Sequence, residues 1–307
     1  MTGPEGLPPA VASDRPLVMG VLNVTPDSFS DGGRWLDPDA AIEHGLVLSE
    51  QGADLVDVGG ESTGPGAARV PVEEELRRVV PVIKGLAAQR VVLSIDTLRA
   101  EVAAAALDAG AVLINDVSGG HSDPAMPRLV AQAHAPFVVM HWRHPPALGD
   151  DLLHAGTFEP YDDVVSDVEH ELLRSVDALV GAGVDPRRIV LDPGLGFAKN
   201  AANNWDLLAG LDRIVAHGLP VLIGPSRKRF LGSLLGTPAV PVPVEERDAA
   251  TAAVCALAVA AGVWCVRVHA VEPCIDAVRV AQAFRAARAA QLADQPAAGA
   301  ITGGIGA

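Results

Sequence analysis

Polar side chains able to bind or react recur at one kind of position in this chain, the end of a short apolar run. Leu17-Val-Met-Gly-Val-Leu-Asn23 ends in an amide and opens into Thr25-Pro-Asp-Ser-Phe-Ser-Asp-Gly-Gly33. Leu55-Val-Asp-Val58 runs into Gly59-Gly-Glu-Ser-Thr63, and Val91-Val-Leu-Ser-Ile95 into Asp96-Thr97. Val112-Leu-Ile114 meets Asn115-Asp116, Phe137 to Met140 meets His141-Trp142, and Ile189-Val-Leu191 meets Asp192-Pro-Gly-Leu-Gly-Phe197. Val221-Leu-Ile223 precedes Gly224-Pro-Ser226-Arg-Lys228, and the last run carries Arg267 and His269. An amide or carboxylate within such a run must find hydrogen-bond partners or a ligand. One such residue alone is ordinary capping or turn chemistry; the same device on eight runs points to a shared site.

The residue types say what that site could hold. Lys228, Arg267 and His269 form a cationic side suited to phosphate or diphosphate, with Arg giving a planar fork and Lys a point charge. Asp96, Asn115 and Asp192 supply fixed acceptors and one amide donor for a heterocycle with N–H edges, since a carboxylate takes two parallel N–H groups. Asn23 could reach Mg²⁺ through its carbonyl oxygen, because that ion takes few protein ligands beside phosphate oxygens. There is no His-rich zinc signature and no spacing that supports a Ser–His–Asp triad. The set suits a polar ring carrying a diphosphate.

Eight strands must position these groups, at about 17–24, 55–58, 91–95, 112–114, 137–140, 189–191, 221–223 and 263–268. Helical stretches alternate with them, at about 38–52, 71–89, 98–109, 124–134, 161–182, 203–217, 245–261 and onward to about 288. Asp37-Pro38 starts the first and Gly110 ends the third. The alternation predicts an α/β fold with a parallel sheet, and eight repeats predict a single-domain (β/α)8 TIM barrel, which places active-site residues at the C-terminal strand ends. Residues 1–15 and 291–307 are expected to be flexible flanks of a barrel spanning 16–290. A formal charge of −15 over 307 residues argues against nucleic acid or an anionic membrane as partner. No run of about 18 apolar residues suggests a membrane span. The start does not resemble a signal peptide. The three cysteines lack CxxC spacing, so a reducing, cytoplasmic setting is expected.

Leu22 to Gly33, Asp57-Val-Gly-Gly-Glu-Ser-Thr63, Ile95-Asp-Thr97, Asn115 to Gly120, Asp192 to Phe197, Ser226-Arg-Lys228 and Arg267-Val-His269 occur in the order found in dihydropteroate synthases. The chain resembles that family over about 17–285, and its actinobacterial members most in Met140-His-Trp142 and Asp192 to Lys199. The resemblance implies condensation of 4-aminobenzoate with (7,8-dihydropterin-6-yl)methyl diphosphate. It implies that Asp96, Asn115, Asp192 and Lys228 hold the pterin and that Arg267 packs over the ring. Arg267, His269 and Asn23 would bind diphosphate, with Asn23 also meeting Mg²⁺. Thr63 would line the substrate site, while Pro65, Phe197 and Ser226 would border the aminobenzoate pocket. A homodimer through the later helices is implied as well.

One departure bears on activity. The family's loop reads Ser-Thr-Arg-Pro-Gly where this chain has Ser62-Thr63-Gly64-Pro65-Gly66. A charge-assisted contact of that kind is worth roughly 1.5–3 kcal/mol, and Arg69 could partly replace it. Gly64 defines the alternative, a catalytically impaired pterin-binding paralogue with a binding or regulatory role. Another pterin-binding barrel, such as a methyltetrahydrofolate methyltransferase, would have no use for the Ser226-Arg-Lys and Arg267-Val-His anion side.

Overall fold

A computed structural model describes residues 3–13, 15–25, 37–61, 69–143 and 160–293. Eight parallel strands run β1 (Leu17–Asn23), β2 (Leu55–Gly59), β3 (Leu93–Asp96), β4 (Leu113–Asp116), β5 (Phe137–Met140), β6 (Ile189–Asp192), β7 (Leu222–Ile223) and β8 (Cys265–Val268). Their order is β6-β5-β4-β3-β2-β1-β8-β7, and a parallel bridge between Leu191 and Val221 closes the ring. The helices are α1 (Pro38–Glu50), α2 (Val72–Ala88), α3 (Ala100–Ala109), α4 (Met126–Ala133), α5 (Val164–Gly181), α6 (Ala201–Ala209), α7 (Leu211–Val215), α8 (Arg229–Leu235), α9 (Asp248–Ala261) and α10 (Val271–Ala293). The (β/α)8 barrel expected from the alternation is the observed fold.

Period-two alternation divides each strand between two cores. Val18, Val56, Ile95, Ile114, Val139, Leu191 and Val266 point outward into the layer shared with the helices. Leu17, Met19, Leu55, Leu113, Val138, Val190, Leu222 and Cys265 fill the barrel together with Trp264. The Pro/Gly-rich stretch before β1, expected to be flexible, meets this inner cluster. Val11 is buried in it, Leu7 packs on it, and the Glu5 N–H donates to the Arg187 carbonyl at 2.9 Å.

Local signals set the helix limits. Asp37 accepts from the Asp39 N–H at the start of α1, and α3 ends at Gly110 in the left-handed region at φ 119°. The single helix expected over about 203–217 is two helices meeting at Gly210. A Cβ there would stand 2.8 Å from Val165 of α5, so the backbone approaches that helix where side-chain spacing alone shows no break. The short α8 was not expected, and the helix expected from about 245 begins with a 3-10 turn at Val244–Arg247. No described helix is long and apolar enough to cross a membrane.

Candidate active site

Two residues further along the inward face, the strands change chemistry. Leu55 gives way to Asp57, Leu113 to Asn115, Val190 to Asp192 and Cys265 to Arg267, while β3 ends in Asp96. Register places Asp57 beside Ser94 and Asp96 beside Asn115. These groups form one hydrogen-bonded unit. Arg267 donates through Nε to Asp57 at 2.6 Å and through Nη2 to Asp96 at 2.7 Å. Asn115 Nδ2 donates to Asp57 at 2.9 Å, and the Ser94 hydroxyl donates to its other oxygen at 2.5 Å. Asp57 is fully buried, and Asp96 and Asn115 are nearly so. Two carboxylates on two nitrogens of one guanidinium hold its plane.

Burial raises Asp96 above the ordinary carboxylate range; Arg267 opposes the shift, while Asp57, Asp116 and Glu75 add to it. Asp192 is raised to about 6, again by burial, against the Gly194 N–H at 2.8 Å and the charges of Lys228, Lys199 and Arg267. The Lys228 ammonium lies 3.9 Å from the centre of the Phe197 ring, and burial followed by Arg267 lowers it to about 8. Ser226 accepts the His269 backbone N–H at 3.0 Å, and its hydroxyl lies 2.9 Å from His269 Nδ1.

His269 differs from its sequence reading. Burial, followed by Arg267, Arg227 and Lys228, lowers its pKa to about 4, so it is a neutral imidazole near pH 7 and not part of the positive charge. The cationic side consists of Lys228 and Arg267. Arg227 is bound to Asp248 by two hydrogen bonds and supports the turn before α8.

Asn23 lies across Gly59 from Asp96. A methyl group on that glycine would sit 3.7 Å from Asn23 Oδ1 and 3.8 Å from Asp96 Oδ2. No group of three or more His, Cys, Asp or Glu able to hold a metal occurs among the described residues. Asn23 Oδ1, near the Asp96 carboxylate, is a neutral oxygen donor of the kind that an ion held mainly by water and substrate oxygens takes. Thr63, Gly64 and Pro65 lie outside the described residues. Arg69, considered as a substitute for the absent arginine, has its Nε 3.4 Å from Glu61.

Sequence reasoning passed over two groups. Asp57 appeared only as part of a motif, although it joins Asn115 to Arg267. Lys199 donates to the Gly194 and Phe197 carbonyls at 3.0 and 3.1 Å, tying down the turn after β6. It also meets His141 Nδ1 at 2.9 Å, while His141 Nε2 meets Glu171 at 2.9 Å. Burial lowers Lys199 to about 7; burial followed by Lys199 lowers His141 to about 4. The spacing of the Asp192 to Lys199 motif was the available signal, since a lysine seven residues past a strand end can fold back on its own turn.

A barrel whose rim carries paired carboxylates, an amide and two cations is a ligand-binding enzyme scaffold with its site at the strand C-termini. The family profile described as pterin binding enzyme matches residues 19–269. The chain is 54% identical to a dihydropteroate synthase of Mycobacterium leprae over 273 residues, covering 87% of this chain and 93% of that one. It superposes on the Xanthomonas albilineans dihydropteroate synthase with 4-aminobenzoic acid at a TM-score of 0.80 and 48% identity, covering 89% and 94%. The same enzyme in complex with 7,8-dihydropteroate gives 0.77 and 46%, covering 89% and 95%. The chain belongs to the pterin-binding enzyme family, among its dihydropteroate synthases.

Proposed function

We infer that the protein condenses (7,8-dihydropterin-6-yl)methyl diphosphate with 4-aminobenzoate to give 7,8-dihydropteroate and diphosphate. The observation that carries this reading is the convergence of Asp96, Asn115, Asp192, Lys228 and Arg267 on one rim, in a chain so similar to dihydropteroate synthases throughout the barrel.

Each residue has a physical task. Asp96, Asn115 and Asp192 take the N–H edges of the pterin, Lys228 donates to a ring acceptor, and the Arg267 plane covers the ring. The bond from the methylene carbon to the diphosphate oxygen breaks and its electron pair leaves with diphosphate. Positive charge then grows on the carbon, where Asp96 and Asp192 stabilise it electrostatically. The aniline nitrogen of 4-aminobenzoate attacks that carbon and loses a proton as the C–N bond forms. Phe197 and Ser226 border the incoming amine. Neutral His269 offers a hydrogen bond to the departing group. Bound Mg²⁺, with Asn23 as its protein ligand, would neutralise charge on the diphosphate.

Diphosphate release that requires both substrates and Mg²⁺ is the expected result with purified protein. Tight pterin binding without release would overturn the reading. Activity that is indifferent to chelation would remove the metal from it.

A homodimer and a cytoplasmic setting complete the proposal. Leu257 of α9 and Val280 and Phe284 of α10 are 66%, 67% and 57% exposed, apolar side chains presented by the two later helices. The three cysteines are free and buried, as suits a reducing compartment. Sedimentation should give a dimer that Phe284→Glu weakens; a monomer at micromolar concentration would remove that part.

A further inference from the structure

Asp57 is a fully buried carboxylate at the rim, and it receives three donors from three strands. Ser94 Oγ binds one of its oxygens, while Asn115 Nδ2 and Arg267 Nε share the other. Both shared partners are groups that the proposed function places against the pterin. An ionised carboxylate only accepts, so it dictates which end of a neighbouring amide faces it. One Nδ2 hydrogen of Asn115 is committed to Asp57. The amide cannot turn over without setting its own oxygen against the carboxylate. Oδ1 and the second Nδ2 hydrogen remain for a ligand, in a fixed order. On the Arg267 side, the Nε contact to Asp57 and the Nη2 contact to Asp96 fix the guanidinium plane from two points.

We propose that Asp57 is a positioning residue that locks the Asn115 amide in one orientation and the Arg267 guanidinium in one plane, and so decides which ring edge the site accepts. This rests on the pterin reading of the rim. Asp57 itself is closed off from solvent. It acts through Asn115 and Arg267, and Ser94 keeps it from turning away.

The test is a ring pair that differs at one edge: pterin and its 2-oxo counterpart, lumazine, titrated against the free protein. Wild type should prefer pterin. Asp57→Asn conserves volume, and Ser94 can accept a hydrogen bond as well as donate one, so the pocket keeps its shape. An amide at 57 can donate or accept, so the Asn115 orientation is no longer dictated. The preference for pterin over lumazine should fall by at least about tenfold, the scale of one hydrogen bond to a charged or committed partner. Equal weakening of both rings would mean that Asp57 only supports the fold, and would overturn the proposal. In an Asn115→Ala background, Asp57→Asn should leave the preference where Asn115→Ala set it; a second drop there would overturn the route through the amide. One measurement needs no variant. In the unliganded wild type the two Asn115 side-chain protons should stay distinct, the one held by Asp57 exchanging with solvent more slowly than its twin, and equal, rapid exchange of both would overturn the lock. A wild type that binds neither ring would remove the pterin reading itself, and this inference with it.

Discussion

The two ends of the barrel interior are made by the same strands and behave as opposite materials. At the N-terminal end, Met19, Leu55, Leu113, Val138, Val190, Leu222 and Trp264 form a dry packed layer. One inward position later, Asp57, Asn115, Asp192 and Arg267 form a charged one, bound by Asp96 and Ser94. A single step of about 6–7 Å along a strand separates them. The apolar layer excludes water from below, so the charges above act on each other and on a ligand in a low-dielectric setting. The floor holds the barrel together, while the rim stores partly compensated charge.

That division is open to attack from either side. Arg267→Met should cost the most, because it strips Asp57 and Asp96 of their shared cation. We expect a stability loss of about 3–5 kcal/mol in urea denaturation, with turnover down by about 100-fold or more in the diphosphate assay. Trp264→Ala should cost a similar amount, about 3–5 kcal/mol, yet leave turnover per folded molecule unchanged; a loss of turnover there would blur the line between floor and rim.

Asp192→Asn separates stability from function by pH. The folded carboxyl keeps its proton up to about 6 against an ordinary value of 3.8. Between those values the unfolded chain ionises first, so the buried wild-type carboxylate loses stability as pH rises. The variant should gain on wild type from about pH 4 to about pH 6, levelling off near about 3 kcal/mol, while losing pterin affinity. A constant difference across that range would break the link.

Gly194→Ala tests the turn that Lys199 ties down. Its φ is 68°, and a Cβ there would collide with the His141 carbonyl oxygen. A loss of about 1–3 kcal/mol is expected, with a raised KM for 4-aminobenzoate through Phe197. Arg69→Ala should do least. Its pairing with Glu61 is long, at 3.4 Å, and a change below about 1 kcal/mol is expected. A large drop in turnover would instead assign Arg69 the task left by Gly64.

The barrel was legible because its signal is local. Each strand is a short apolar run ended by turn chemistry, and the polar residue at that end announces the rim. Asp57 was harder, because its meaning lies in partners 37, 58 and 210 residues away, which no window along the chain brings together. His269 misled for the opposite reason. Its type suggested charge, but burial beside Arg267, Arg227 and Lys228 removes it. Gly210 divides α6 from α7 through contact with α5, a tertiary cause that helical periodicity does not register.

The closing seam of the barrel has its own consequence. Between β6 and β7 the ring is joined by one bridge, Leu191 to Val221, with the Leu191 N–H donating to Pro220, and β7 itself is two residues long. Here the wall should breathe first, and its amides should exchange ahead of those between β1 and β2. Asp192 stands at one lip of the seam, and Ser226 and Lys228 follow the other. A ring grasped by both lips would act as a rivet, so occupancy of the site should quiet the weakest joint in the wall.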